Sequence, residues 1–193
     1  MSNLFYNLEM EAFRNGITPR TKESMDWFRR KATAMRRVNR NQLMKNEPIE
    51  LRNKGIVGNM YMFFYDPKTK DTLPYYDRFP LTVVVGPAEG GFYGLNLHYL
   101  PPVLRAKMLD AMMNITNNKV YDESTRFQIR YNTLKRVSRL KFYKPCFKHY
   151  LNSQVRSRFA YVQPPEWEIA TFLPTADFSK NKNMVYKESR KMI

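Results

Sequence analysis

The sequence predicts an α+β fold, in which several helices pack on a small antiparallel sheet or partial barrel and carry basic surfaces on both flanks. Three observations predict it. Apolar residues make up 43% of the 193 residues, enough for one domain with a hydrophobic core. Short β-branched and aromatic runs bounded by glycine and proline lie in residues 60–99. Segments with apolar residues at three- and four-residue spacing lie on both sides of these runs.

The N-terminal part is predicted to hold an arm and a helix. Residues 1–17 would form the arm, either as a short amphipathic helix or as a segment that docks on another surface. Thr18 is expected to cap the following helix, with Pro19 at its first position. The predicted buried stripe of this helix comprises Met25, Phe28, Ala32 and Met35.

Three strands are predicted in the centre of the chain, at residues 60–65, 81–85 and 92–99. Asp66-Pro67 and Gly90-Gly91 are turn signals between them, and such short connections favour an antiparallel meander or a small barrel. A helix is predicted from Val103, followed by a loop at residues 114–122.

The C-terminal part is predicted to add a helix from Thr125 and two strands, at residues 159–162 and 167–173, of which the second would join the central sheet. The polar and basic residues 179–193 are expected to form a mobile tail. The predicted organisation is therefore an arm (1–17), a single α+β domain (18–178) and a mobile basic tail (179–193).

The chain carries a large positive charge, with 33 Lys and Arg against 17 Asp and Glu, a net charge of +16 and a pI of about 10.0. Such a cation is attracted to polyanions because each neutralised phosphate releases counterions. A basic surface without a defined site is the alternative interpretation. No apolar run approaches the roughly 20 residues that a membrane helix needs, so we expect no membrane partner.

The first basic group lies in residues 29–40, RRKATAMRRVNR, which hold six basic side chains and no acidic one. Solvated helix faces usually mix charges of both signs, and this segment does not. We therefore predict that its arginines contact nucleic-acid phosphates: Arg29, Arg30, Arg36, Arg37 and Arg40.

The second basic group lies in residues 126–158, which contain ten Lys and Arg and no Asp or Glu. Basic side chains at helical spacing can contact successive phosphates. The nucleic-acid-binding residues predicted here are Arg130, Lys135, Arg136, Arg139, Lys141, Lys144, Lys148, Arg156 and Arg158.

Aromatic residues interleave the second basic group: Tyr131, Phe142, Tyr143, Phe147 and Tyr150. Such rings can stack on bases that are exposed at the end of a nucleic acid. Aromatic residues at helical spacing more often form a core, and we interpret these residues as core.

A metal-dependent nuclease would need a cluster of carboxylates, since hard cations take oxygen ligands. The candidates are Asp66, Asp71, Asp77 and Glu89, but the three aspartates are interpreted as turn residues. The carboxylates of this chain therefore do not predict a magnesium site.

The remaining candidates for chemistry are one cysteine and two histidines. Cys146 and His149 are three residues apart, whereas a zinc site needs about four ligands. His98 is interpreted as a hydrogen-bonded strand residue rather than a base. We predict no catalytic residue, no metal and no cofactor.

Three runs of the sequence resemble a known family. They are MYMFFYDPKTKDTLPYYDRFPL (60–81), GGFYGLNLHYLPPVLRAKMLDAM (90–112) and FYKPCFKHYLNSQVRSRFAYVQPPEWEIATFLP (142–174). They look like the DNA end protector proteins of large contractile-tailed bacteriophages, and the resemblance extends from about residue 27 to residue 174.

The resemblance implies a late, minor virion protein that binds the ends of the linear double-stranded genome and shields them from host exonuclease. It implies no catalytic motif. The alternative is a structural protein of the portal, neck or baseplate, whose basic surface contacts packaged DNA or an acidic partner protein.

Overall fold

The computed structural model describes residues 4–19, 21–35, 37–45, 49–116 and 142–193. It confirms the α+β class, with helices packed around one open antiparallel sheet. Within these residues, every helix is too short or too polar to span a bilayer.

In the described residues, six strands form the sheet, in the order β1-β6-β2-β3-β4-β5, and every neighbouring pair is antiparallel. In chain order they are β1 (Leu51–Arg52), β2 (Met60–Met62), β3 (Leu81–Ala88), β4 (Gly91–Asn96), β5 (Phe147–Leu151) and β6 (Phe159–Val162).

The α-helices of the described residues are α1 (Leu4–Arg14), α2 (Lys22–Ala34), α3 (Arg40–Lys45), α4 (Pro102–Thr116), α5 (Tyr143–Cys146), α6 (Trp167–Phe172) and α7 (Lys182–Lys191). Short 3₁₀ helices cover Leu97–Tyr99, Asn152–Gln154 and Pro164–Glu166.

The sheet has a hydrophobic core on each face, as its alternating side chains require. Met60 and Met62 of β2 belong to the main core, together with buried residues of α1, α2, α4 and α6. Tyr61 points to the opposite face, where it joins an aromatic cluster that also contains Phe63, Tyr65, Phe92, Tyr150 and Phe159. The ring centroid of Phe63 lies 4.9 Å from that of Phe159 and 5.3 Å from that of Tyr150.

The three predicted central strands are confirmed with shifted ends, and the strand Phe159–Val162 is confirmed with the ends predicted for it. The third one ends earlier than expected, because the Asn96 side chain accepts a hydrogen bond from the backbone N–H of His98 and starts a 3₁₀ turn. His98 therefore lies in this turn and not in a strand.

The strand predicted at residues 167–173 is wrong, since these residues form α6. Every residue of α6 is buried, so its sequence shows no polar face from which a helical period could be read. The indole N–H of Trp167 donates to the carbonyl of Val162 at 2.9 Å and fixes the turn from β6 into the helix.

Strand β5 was not predicted. It forms the edge of the sheet, with Leu95 opposite Phe147 and Tyr93 opposite His149. Its five residues, FKHYL, alternate only weakly between apolar and polar side chains, which is a poor strand signal.

Two predicted helix boundaries also change. Thr21 rather than Thr18 caps α2, because its side chain accepts from the Ser24 N–H at 3.0 Å while Ser24 accepts from the Thr21 N–H. Helix α4 continues to Thr116, into the loop predicted at residues 114–122. The helix predicted from Thr125 lies outside the described residues.

The first and last described helices, α1 and α7, pack on the central part. Phe5, Leu8 and Ala12 of α1 are buried in the main core. At the other end, α7 replaces the mobile tail that we predict, and its Val185 is fully buried against Tyr99 and Phe178. The division at residues 18 and 178 stays a prediction.

Candidate nucleic-acid interface

The arginines of α2 lie on its solvent face. The buried side chains of this helix, Trp27, Phe28 and Ala32, face the main core and leave Arg29 and Arg30 exposed. Arg29 forms an exposed ion pair with Asp26 of the same helix at 2.7 Å. Among the described residues, Arg30 has no acidic partner, so its charge is available to a phosphate.

The remaining arginines of the first basic group differ from one another. Arg36 lies outside the described residues, and Arg37 is exposed just after α2. Arg40 is half-buried and donates from Nε to the carbonyl of Thr175 and from a terminal nitrogen to that of Ala176, both at 2.7 Å. The guanidinium of Arg40 therefore ties α3 to the segment before α7, and its contact with DNA stays a prediction.

The second basic group lies only partly within the described residues. Arg130, Lys135, Arg136, Arg139 and Lys141 lie outside the described residues, so their contact with DNA stays a prediction.

The two lysines near β5 have different surroundings. Lys144 of α5 is exposed, and in the described part of the chain no acidic group pairs with it. The ammonium of Lys148 lies 3.9 Å from the centroid of the Tyr99 ring, and burial lowers its pKa. Lys144 thus presents a free charge, whereas Lys148 already has an aromatic partner.

Arg156 and Arg158 lie between β5 and β6 and are both exposed. The Arg156 guanidinium is 3.3 Å from the side-chain oxygen of Gln154 and 3.8 Å from Asp66. The Arg158 side chain has no acidic partner in the ranges that the structure describes. The described cations of the two groups thus lie on α2 and just after it, at the start of α3, on α5 and β5, and in the β5–β6 connection.

Asp77 is not the surface turn residue that the sequence suggested. Its side chain is buried and accepts hydrogen bonds from the His98 ring at 2.7 Å and the Asn96 amide at 3.0 Å. The backbone N–H groups of Phe79 and Asp177 donate to it at 3.1 Å. Burial alone would raise the pKa of Asp77. The interactions with His98, Asn96 and the Asp177 N–H lower this pKa by more than burial raises it, so the carboxylate stays ionised.

His98 completes a buried polar network. Its Nδ1 faces Asp77 and its Nε2 lies 3.1 Å from the hydroxyl of Thr175. Burial lowers the pKa of His98 more than the Asp77 carboxylate raises it, so the imidazole is neutral and donates from Nδ1. Because both side chains are inaccessible to solvent, the pair links segments of the fold and offers no surface to a substrate.

Arg105 is a second buried charge that the sequence did not reveal. Its guanidinium donates to the carbonyl oxygens of Leu100 (2.6 Å), His98 (3.2 Å) and Thr171 (3.3 Å), and to the hydroxyl of Tyr186 (2.7 Å). Burial lowers its pKa. Arg105 is therefore used to hold α4, α6 and α7 together, and nothing in its sequence surroundings distinguishes it from an exposed arginine.

The predicted aromatic core is only partly observed. Tyr150 is buried in the aromatic cluster, as expected, whereas Phe142, Tyr143 and Phe147 are only partly buried. Tyr131 lies outside the described residues.

The side chains that could ligate a metal are dispersed. In the described ranges, no three His, Cys, Asp or Glu side chains are close enough to hold one. Cys146 is fully buried, while His149 is exposed on β5.

Comparison with known proteins gives one match. The model of a family described as "Phage T4 terminal DNA protecting protein" matches residues 5–192. The search of curated proteins and the search of solved structures found no match.

Proposed function

The chain belongs to the phage T4 terminal DNA protecting protein family, and from this premise we propose that it binds the ends of the linear double-stranded phage genome and shields them from host exonuclease. The observation that carries the proposal is the match over nearly the whole chain. The net charge of +16 supports it independently.

The proposed DNA-binding surface contains exposed cations that have no acidic partner in the described residues, namely Arg30, Arg37, Lys144 and Arg158. Arg29, Arg36, Arg40, Arg130, Lys135, Arg136, Arg139, Lys141, Lys148 and Arg156 complete the set that we propose. Contacts of this kind read the phosphate backbone and are independent of base sequence.

We propose that protection is passive. A protein that occupies the terminus prevents an exonuclease from binding there, and this requires no bond cleavage, metal or cofactor. In this proposal the protein joins the particle during assembly in the host cytoplasm and travels in the virion with the genome.

The test measures both binding and protection. A linear duplex should be shielded from a double-strand exonuclease, and a closed circle should compete poorly for the protein. Equal affinity for the linear and the closed DNA would overturn the end-binding proposal. Cleavage of the DNA by the protein with Mg²⁺ would overturn the non-enzymatic one.

Matched variants test whether Arg30 and Arg37 contact DNA phosphates. Arg30→Gln and Arg37→Gln should each weaken binding and lower the slope of log K against log salt concentration by about 0.9. Lys70→Gln is the control, since Lys70 is already paired with Asp66 at 3.2 Å. If the slope of log K against log salt concentration is unchanged in both arginine variants, Arg30 and Arg37 do not contact the DNA phosphates.

A second candidate function is a structural role in the portal, neck or baseplate. One observation favours it, an apolar groove of about 550 Å³ between α1, α2 and α6, beside which Phe13 is 77% exposed. Such a surface suits contact with another virion protein. Locating the protein in the particle tests this role, because a fixed ring in the tail or neck would favour structure over protection.

A further inference from the structure

Four aromatic rings form a continuous row at the β5 edge of the sheet. The rings of Tyr143 and Phe147 stack with centroids 4.9 Å apart and planes at 27°. Phe147 stacks in turn on Tyr93 at 5.0 Å and 23°, and the His149 ring lies 5.3 Å beyond Tyr93. We refer to these four residues as the aromatic row.

The strand register produces this row. Tyr93 lies opposite His149, and two residues along the same strands Leu95 lies opposite Phe147. The side chains of Tyr93, Phe147 and His149 therefore share one face of the sheet. Tyr143 is added from α5, the helix that leads directly into β5.

The row runs from the core to the solvent. Leu95, opposite Phe147, is fully buried, and Phe147 and Tyr143 are partly buried. Tyr93 is 37% exposed and His149 is exposed. The Nε2–H of His149 donates to the carbonyl of Glu89 at 3.0 Å, which orients the last ring.

Exposed cations alone do not explain why the protein would bind a DNA end in preference to the middle of a duplex. Phosphates repeat uniformly along a duplex, so a basic surface alone binds an end no better than the middle. The faces of the bases differ, because inside a duplex each face is covered by the next base pair. Only a terminal or unpaired base offers a free face, and aromatic side chains stack on any base.

We propose that the aromatic row is a stacking platform for the exposed base at the DNA end. This inference rests on the proposed function and gives it a physical basis for preferring ends. Lys144, exposed beside Tyr143 in the chain, supplies a free cation near the platform for the adjoining phosphate. The exposed base is either the terminal pair of a blunt duplex or an unpaired base of an overhang.

The first experiment uses the unmodified protein. A 2-aminopurine is placed in a duplex at the blunt terminus, in a single-stranded overhang, or at an internal pair. Stacking on the platform should quench the fluorescence of the terminal or the overhang 2-aminopurine when protein is added. The fluorescence of the internal 2-aminopurine should not change. The position with the stronger quenching shows whether the stacked base is a blunt-end pair or an unpaired base of an overhang. Binding without quenching at either end position would overturn the platform.

The second experiment compares Tyr93→Leu with the original chain. Leucine keeps apolar contact with Phe147 but removes the ring that joins Phe147 to His149 and is 37% exposed, so affinity for DNA ends should fall by about 5- to 100-fold. Affinity for closed circular DNA should stay the same, which shows that the variant is folded. Phe13→Leu, which removes an exposed ring elsewhere, is the control and should retain end affinity.

The outcomes separate the two proposals. If the original chain prefers ends and Tyr93→Leu prefers them equally, the platform is wrong and end binding stands. If the original chain shows no preference for ends, end binding fails and the platform fails with it.

Discussion

Asp77 and His98 are 21 residues apart in sequence and meet inside the protein, with Oδ2 and Nδ1 2.7 Å apart and both side chains buried. The pair joins the loop before β3 to the 3₁₀ turn after β4. Thr175 and the backbone N–H of Asp177 extend the network to the segment before α7. One buried carboxylate thus orders three separate parts of the chain.

This pair makes stability depend on pH. Since the folded state lowers the pKa of His98 below 6.5, the unfolded chain takes up a proton there first, and stability falls as the pH drops below that value. The lowered pKa of Asp77 adds a second loss that begins below 3.8. Titration of each group can change the free energy of unfolding by at most about 1.4 kcal/mol per pH unit.

Urea unfolding at pH 7.5, 6.5 and 5.5 measures the effect. His98→Gln should remove the His98 part of the slope between pH 6.5 and 5.5, while His149→Gln, at the exposed histidine, should retain it. An unaltered slope in the His98 variant would show that another group is responsible.

Gly91 is required where β4 meets β5. A Cβ at this position would overlap the backbone carbonyl oxygen of Tyr150, and the backbone of a paired strand cannot move aside. Gly91→Ala should therefore lower the free energy of unfolding by about 1–3 kcal/mol. At Gly86, where a Cβ meets nothing within 4 Å, alanine should change it by less than about 0.5 kcal/mol. Equal effects in chemical denaturation would contradict the observed β4–β5 register.

Arg40 belongs to the proposed DNA-binding set, and its hydrogen bonds also give it a structural role. Lysine cannot reproduce the fork that reaches the carbonyl groups of both Thr175 and Ala176, so Arg40→Lys should lower the free energy of unfolding by about 1–3 kcal/mol. Arg37→Lys, at an exposed position, should change it by less than about 0.5 kcal/mol. Thermal unfolding and DNA titration of both variants check this. A loss of DNA affinity without a loss of stability would contradict the structural role of Arg40 and leave only its proposed contact with DNA.

Cys146 should be unreactive in the folded protein. It is fully buried, and burial raises the pKa of its thiol from 9.0 to about 12. At pH 8 its thiolate fraction is then about 10³-fold lower than that of an ordinary thiol, so alkylation by iodoacetamide should be correspondingly slow. Labelling should become fast in denaturing urea, which serves as the control. Rapid labelling without urea would contradict the buried position of α5.

The limits of prediction from sequence are clearest in two segments. The strand Phe159–Val162 was predictable because a short β-branched and aromatic run between turn residues has one common structure. Helix α6 was not, because burial on all sides removes the polar face that distinguishes a helix from a buried strand.

The candidate site shows the same division. The excess of cations follows from composition alone, and so does their grouping in residues 29–40 and 126–158. Whether a cation is free depends on acceptors that are distant in sequence, as for Arg40, whose carbonyl partners are more than 130 residues away.

The sequence by itself determined the α+β class, the central strands and the basic character, because these depend on local residue patterns and on composition. Only the tertiary structure decided that Asp77 is buried, that Arg105 joins three helices, and that Tyr93 stacks on Phe147. The physical reason is that each of these depends on pairing between distant segments, such as β4 with β5, which local spacing does not encode.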